Sequence, residues 1–546
     1  MKLRELNILL LTTCLAWTCG TDRKSVNTQM SQIFSDFDKN SPGCAVAVIK
    51  DGEVIFKNGY GLANMEYDIP IGTTTVFNIA SASKQFTAFS ISLLESEGKL
   101  SFNDDIRKYL PDLPEYERPV TIKNLLYHTS GLPDHSLIGL AGLQTDDVLT
   151  QEYILKLLKT QKNLAYVPGD KFVYINTGYT LLAAIVEKVS GQTFKEFTRQ
   201  NIFEPLDMIN SHFHDDYEEI IKHRAYSYQA VDSIKYSNYW SNQSWYGAFG
   251  LYTTVDDLVK WFLNFENPKI GSTAVIKQMY ECGVLNNGKR LNYAFGLEVD
   301  NRKGFKRIGH GGITAGYSAY TYRYPDANLG VIILSNSNSF NLDAIVNKIE
   351  DILLPRTDQI LNSRTSSTDT SLFKYYKGCY LGGGGKVFKI LLDSGKLFAL
   401  FDKREPLLPI TDSSFSIWGG YSTLVFSKPD KGESTRLKQL TTNEEFEYLR
   451  FVSSDFKTEK PDQFAGMYLN DELGTLFTVI YEHDKLVIKH SRLNDIVLTH
   501  IVGDTFSGSN WRIESLVFTR DKNRGISGFK IINTNRTACL TFKRIN

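Results

Sequence analysis

Ser81 and Lys84, in the stretch VFNIASASKQFTAF, stand at i and i+3 at the mouth of an apolar helical pattern. Positions so spaced share a helix face, so the lysine amine could take the proton of the serine hydroxyl and make it a nucleophile. The plainer reading is an N-cap, in which the Ser81 hydroxyl accepts a first-turn N–H and Lys84 reaches out to water. The S-x-x-K spacing does not decide between them, because it recurs at Ser371 to Lys374 and at Ser454 to Lys457. Position sets the first occurrence apart. Phe86, Phe89, Leu93 and Leu94 would face inward and hold Lys84 at a dry surface. A desolvated lysine loses basic strength and can then act as a base near neutral pH.

Two further groups keep Ser81 company. Tyr174-Ile175-Asn176 lies in FVYINTGYTLLAAIVEKVSG, and His310-Gly311-Gly312 lies in RIGHGGITAGYSAY. Y-x-N also occurs at Tyr236 to Asn238 and Tyr468 to Asn470, whereas H-x-G occurs once. The order matters more than any single pattern: S-x-x-K at a helix start, Y-x-N in a loop entering a helix, H-x-G on a strand followed by strands.

Other chemistry fails on its own mechanics. LGGGGK lacks the Ser/Thr that a phosphate loop needs after its lysine, since Val387 follows Lys386, and it reads as a glycine turn. DFDKN begins like a calcium loop, but Ala47 falls where a bidentate glutamate is required. SHFHDDYEE offers His212, His214, Asp215 and Asp216 with nothing nearby to complete a catalytic metal site, and reads as a polar loop. No G-x-S-x-G elbow occurs.

The elements that must position these residues mix strands and helices. CAVAVIKDGEVIFKNGYG predicts a hairpin turning at Asp51-Gly52; KQFTAFSISLLESEG and YTLLAAIVEKVSG predict helices ending at Gly98 and Gly191. YAFGLEV, AGYSAYTYRY and LGVIILSNS predict strands near residues 293 to 337. Strands at both ends with helices between them predict an α+β domain, an antiparallel sheet whose first and last strands meet under packed helices. The polar stretch RTDQILNSRTSSTDTS reads as a linker. Beyond it the chain repeats: YYKGCY answers QFAGMY, GKVFKILLDSGKLFAL answers GTLFTVIYEHDKLVIK, and STLVFSK answers ESLVFTR. An offset of about 90 residues marks two copies of one antiparallel β unit, each expected to be a small barrel.

At 546 residues the chain exceeds what one core holds. The expected division is a signal peptide over 1–19, a catalytic domain over 26–355, a linker over 356–371, and β units over 372–455 and 456–546. With 61 basic and 61 acidic residues and no basic run, nucleic acid and anionic membrane surfaces are poor candidate partners. Lys2, Arg4 and LNILLLTTCLAW read as an export signal. Cys19 before Gly20 resembles the lipidated cysteine of bacterial lipoproteins, with LTTC ending at Cys14 as its competitor, so membrane attachment would run through Cys19. Cys44, Cys282, Cys379 and Cys539 show neither a disulfide framework nor a zinc spacing.

With the three motifs in order, residues 30 to 355 resemble the serine β-lactamase and penicillin-binding protein superfamily. The branch is that of class C β-lactamases, D-alanyl-D-alanine carboxypeptidases, D-aminopeptidases and related esterases. TIKNLLYHTSGLPDH and GAFGLYTTVDDLVKW also look like stretches of that family. The resemblance implies a β-lactamase-like fold and an exported serine hydrolase, periplasmic or anchored at the outer membrane, that acts on small peptides or esters without metal or cofactor. It implies that Ser81 forms an acyl-enzyme, that Lys84 and Tyr174 move protons, and that Asn176 orients the substrate amide or the lysine. Backbone N–H groups of Ser81 and Ile313 would bind the oxyanion, and Gly311 and Gly312 would let substrate lie close to the strand. His310 stands where relatives commonly carry a lysine that pairs with the substrate carboxylate, so β-lactamase activity is expected to be weak. Anionic substrates would then bind less well as pH rises from about 5.5 to 8, unless Arg302, Lys303, Lys306 or Arg307 supplies the charge. Gly131 and Pro133 read as loop architecture and His128 has no assigned part. A carboxylesterase, a weak β-lactamase and a non-catalytic binding protein remain open alternatives, as does the oligomeric state.

Overall fold

Asp51 and Gly52 both take positive φ, 52° and 79°, as a two-residue hairpin turn requires. They join the strand Cys44–Lys50 to Glu53–Tyr60 in a computed structural model that describes residues 23–354, 369–451 and 461–545, apart from short internal stretches. The stretch read as an export signal, with Cys14 and Cys19, as well as Cys539 and nearly all of the linker, lies outside the described residues.

Cys44–Lys50 pairs on its other side with Leu329–Ser335, from Cys44 opposite Ser335 to Lys50 opposite Leu329. The first and last strands of the domain therefore meet, as the sequence predicts. Six antiparallel strands run in the order 298–302, 305–314, 317–324, 329–335, 44–50, 53–60. The period-two alternation of CAVAVIK assigns its side chains to two cores. Ala45, Ala47 and Ile49 join the large core with Phe86, Phe89 and Trp261. Cys44, Val46 and Val48 join a second core with Val26, Met30, Val346 and Ile349 from the terminal helices Arg23–Ile33 and Leu342–Leu353. Both faces are covered, so every residue from Cys44 to Ile49 is buried.

The helix Lys84–Ser96 runs through the large core and packs on the helix Thr177–Ser190, which ends on Gly191 in the left-handed region. A small three-stranded sheet, in the order Phe77–Asn78, Leu251–Thr253, His212–Phe213, supports the turn that enters Lys84–Ser96.

Both β units are antiparallel. In the first, nine strands form a sheet whose end strands, Arg404–Pro406 and Leu408–Pro409, are consecutive in the chain, so it curls almost to closure. In the second, eight strands between Gly466 and Ile545 close completely. The repeat extends to single bonds. The Tyr380 hydroxyl donates to the Tyr376 carbonyl at 2.9 Å, and its counterpart Tyr468 donates to Phe464 at 2.7 Å. Arg450 and Arg544 each donate to carbonyls just before the strand bearing that tyrosine. The second unit also touches the hydrolase. Leu140 is buried in its core, Arg492 pairs with Asp147 at 2.6 Å, and Thr160 donates to the Glu472 carbonyl.

Candidate active site

Ser81 occupies a 3-10 turn, Ala80–Ser83, that runs directly into the helix Lys84–Ser96. Its hydroxyl caps neither element, which removes the plain reading of the motif. The preceding Ala80 is held at φ 48°, an uncommon conformation for a residue with a Cβ. What holds it is visible. The Asn78 side chain accepts from the Ala80 N–H at 2.8 Å, the Ile79 N–H donates to the Leu251 carbonyl, and the Ser83 hydroxyl accepts from the Leu251 N–H.

Lys84 is fully buried. Its Nζ lies 3.1 Å from Ser81 Oγ, 2.8 Å from Asn176 Oδ1 and 2.8 Å from the Ala248 carbonyl oxygen. It also lies 4.9 Å from the centre of the Tyr174 ring. Asn176 begins the helix Thr177–Ser190, yet its side chain does not cap that helix and turns to Lys84 instead. The Asn176 N–H, freed from any intrahelical partner by its position, donates to the buried Asp134 carboxylate at 2.7 Å. Thr177 Oγ1 donates to the Pro133 carbonyl, so the loop holding Gly131 and Pro133 fixes the start of this helix.

His310 is 2% exposed and stands behind Tyr174, not on an open wall of the site. Its Nδ1 lies 2.5 Å from the Gly311 carbonyl, which can only accept, so the neutral ring carries its proton there. Nε2 is then an acceptor, 3.4 Å from the Tyr174 hydroxyl and 3.2 Å from the Tyr293 hydroxyl. Burial pushes the imidazole pKa below its ordinary value, and the nearby Lys84 adds to that, against the smaller opposing pull of Glu298. A neutral His310 facing two tyrosines offers a substrate carboxylate no charge. Three of the four hairpin cations are already paired. Arg302 pairs with Glu350 and Asp343, Lys303 with Asp351, and Arg307 with Asp300.

Gly311 and Gly312 differ in what they leave room for. A Cβ on Gly312 would fall 2.2 Å from the Ile79 carbonyl and 3.0 Å from the Ser81 nitrogen, so this glycine lets the strand close on the nucleophile turn. A Cβ on Gly311 would meet nothing nearer than 3.6 Å. The close approach that the sequence assigns to substrate is therefore, at Gly312, an approach of protein to protein. Ile313 follows on the same strand with its side chain 71% exposed.

Four contributors escape the motif reading: Asp134, the Ala248 carbonyl, Tyr293 and His128. His128 Nδ1 accepts from the Ile175 N–H at 3.3 Å, and its ring packs 4.4 Å from that of Tyr174, 4.7 Å from Tyr293 and 5.1 Å from Tyr179. Asp134 and His128 lie in TIKNLLYHTSGLPDH, and Ala248 in GAFGLYTTVDDLVKW, two stretches already marked by their family likeness. A backbone carbonyl has no sequence signature, so Ala248 could not have been singled out.

The β-lactamase family model matches residues 30–354. The chain belongs to the β-lactamase family. Among relatives of this β-lactamase-family chain, penicillin-binding protein 4* of Bacillus subtilis is 29% identical over 400 residues, which are 69% of this chain and 88% of the relative. The octameric penicillin-binding protein homologue of Pyrococcus abyssi is 25% identical with a TM-score of 0.53, covering 78% of this chain and all of that one. D-amino acid amidase of Ochrobactrum anthropi shares the fold at 22% identity and a TM-score of 0.51, over 60% of this chain and 98% of its own. The family domain thus carries a serine hydrolase arrangement, with the lysine in direct contact with the serine hydroxyl.

Proposed function

We propose that this protein is an exported acyl-enzyme hydrolase of peptide amides, of the D-amino-acid type, or of esters that lack an essential carboxylate. The observation that carries the reading is the 3.1 Å contact between Lys84 Nζ and Ser81 Oγ, with Lys84 anchored on Asn176 and the Ala248 carbonyl. Those two anchors only accept. As a neutral amine Lys84 keeps one N–H for each and turns its lone pair to the Ser81 hydroxyl, the state a general base needs.

In the proposed reaction Ser81 Oγ bonds to the substrate carbonyl carbon, and its proton passes to Lys84. The oxyanion is bound by the N–H groups of Ser81 and Ile313, which Gly312 brings together by letting the strand approach the turn. Tyr174, beside Lys84 and oriented by His310 and His128, gives a proton to the leaving nitrogen or oxygen. The same tyrosine then takes a proton from the water that cleaves the acyl-enzyme ester, and Lys84 returns its proton to the departing Ser81 Oγ. The amidase neighbour supports the amide reading, and the neutral, buried His310 supports substrates without a carboxylate.

The test is labelling by a fluorophosphonate, followed by turnover of D-amino-acid amides, D-Ala-D-Ala peptides, short nitrophenyl esters and nitrocefin. Labelling at Ser81 with turnover of amides or neutral esters is expected. Efficient nitrocefin hydrolysis would place the protein with the β-lactamases instead, and an unlabelled Ser81 would leave only a binding role.

A further inference from the structure

His212 and His214 sit two residues apart on and beside the edge strand His212–Phe213, so both imidazoles fall on one face of the small sheet. Both rings pack on Tyr252 of the neighbouring strand, at 6.0 and 5.2 Å between centres. Glu219 returns to them from the turn after Asp216. Its Oε2 lies 3.5 Å from His214 Nδ1 and 3.9 Å from His212 Nε2, and the three donor atoms all fall within 4.8 Å of one another.

Those two imidazole nitrogens are buried and have no hydrogen-bond partner, and His214 as a residue is 4% exposed. The separations from Glu219 are too long for a hydrogen bond to carry a proton between them. A buried lone pair left unmatched costs free energy, and one cation placed between the three donors would match all of them.

We propose that His212, His214 and Glu219 form a binding site for a divalent transition metal, with zinc the ion that two imidazoles and a carboxylate favour. Zinc bonds of about 2.0–2.1 Å in a tetrahedron set donor atoms about 3.3 Å apart, so the two His–Glu separations need little closure. A water completes the coordination. The charged groups around the site work in opposite directions. Lys195 donates to Glu219 Oε2 and to Asp215 Oδ1, each at 2.9 Å, and Arg224 adds positive charge nearby. The Oε2 atom that faces both rings already accepts from Lys195, so an ion there competes with that bond; Lys195 weakens binding, and Asp215 gives its ammonium another partner. The occupied site would tie the loop after His214 to the sheet whose central strand holds the Ser81 turn. Its part is bracing; Ser81 chemistry needs none of its ligands.

The test uses the full, tag-free chain, stripped with a chelator and dialysed. Zinc is titrated by calorimetry and counted by atomic emission, and cobalt(II) is titrated by visible absorption. One zinc per chain and the intense bands of tetrahedral cobalt are expected. Both signals should persist in Ser81→Ala, vanish in His212→Ala and Glu219→Gln, and shift at least tenfold toward tighter binding in Lys195→Met. Circular dichroism establishes that each variant is folded, and the half-exposed Glu219 makes E219Q the gentlest of them. Absence of tetrahedral cobalt bands in the parent, or full zinc binding in the folded E219Q variant, overturns the proposal.

Discussion

At the scale of single residues, the site rests on one side chain whose surroundings leave it a narrow choice. Lys84 has carbonyl-type acceptors at two corners and the Ser81 hydroxyl at a third. Ser81→Ala should therefore abolish turnover and probe labelling while the melting temperature stays near that of the parent, since the lost hydroxyl caps no helix. Lys84→Ala and Tyr174→Phe should each slow turnover by about a hundredfold or more, the scale for losing a general acid or base; a loss under tenfold in either would remove that residue from the proton path. Types and order of these residues were legible in the sequence because the first two motifs mark helix starts and the third lies within a strand. The state of His310 was not, because a lone imidazole in a motif does not reveal its burial. Its pKa is lowered by desolvation first, then by Lys84, in a setting that also holds Glu298, Tyr174 and Tyr293. The sign follows. The unfolded chain takes up a proton near pH 6.5 that the folded chain refuses, so this contribution to stability is full above that pH and is lost as pH falls. The expected weakening of anionic substrates with rising pH accordingly moves toward the acid side. Melting temperatures from pH 5 to 8 should show an acid-side fall that is smaller in His310→Gln. The comparison between variants is what counts, because burial lowers His490 as well as His212 and His214.

At the scale of elements, the proposed nucleophile sits where a strained turn meets a strand edge. The strand Glu298–Arg302 pairs with Phe305–Thr314 only as far as Gly309, so His310 to Thr314 keep the edge that faces Ser81 clear of that neighbour. Ala80 supplies the strain and Gly312 the room. Gly312→Ala should cost at least tenfold in turnover of every substrate and lower the melting temperature, because its Cβ meets backbone that cannot yield. Gly311→Ala has 3.6 Å of clearance and should leave stability unchanged, so any loss of turnover there reports the space that substrate occupies. Equal behaviour of the two variants in stability and rate would contradict this division. The sheet was readable from the hairpin turn at Asp51-Gly52 and from AGYSAYTYRY and LGVIILSNS, whereas YAFGLEV turns through Gly296 at positive φ and enters its strand only at Glu298. Glu219 closes the stretch SHFHDDYEE, yet reading that stretch as a polar loop hid it as a partner of His212 and His214, because only the turn after Asp216 brings it back to them.

At the scale of the whole molecule, the two β units repeat each other in sequence and in hydrogen bonds but differ in company. The first keeps its own core, from Phe373 to Tyr448. The second shares its core with Leu140, which is 1% exposed and belongs to the segment that continues from the loop fixing Asn176. The polar composition of the linker reports only the connection it makes and says nothing of contacts elsewhere. The contact of the second unit runs instead through a loop more than three hundred positions away in the chain, where Gln144 and Asp147 also meet Arg492. A charge at Leu140 would have to be buried unpaired or pull free of the barrel, and either outcome weakens the docking. Leu140→Asp should therefore raise amide exchange in the strands between Gly466 and Ile545 and lower the melting temperature by several degrees. Arg492→Ala, at an exposed ion pair, should do far less. Because the same loop leads back to Pro133 and Asp134, L140D should also reduce kcat/KM for amide and ester substrates several-fold while Ser81 still accepts a small fluorophosphonate. Unchanged exchange in those strands would mean that Leu140 does not hold the unit in place, and unchanged kcat/KM with loosened strands would mean that the second unit is docked to the hydrolase without shaping its site.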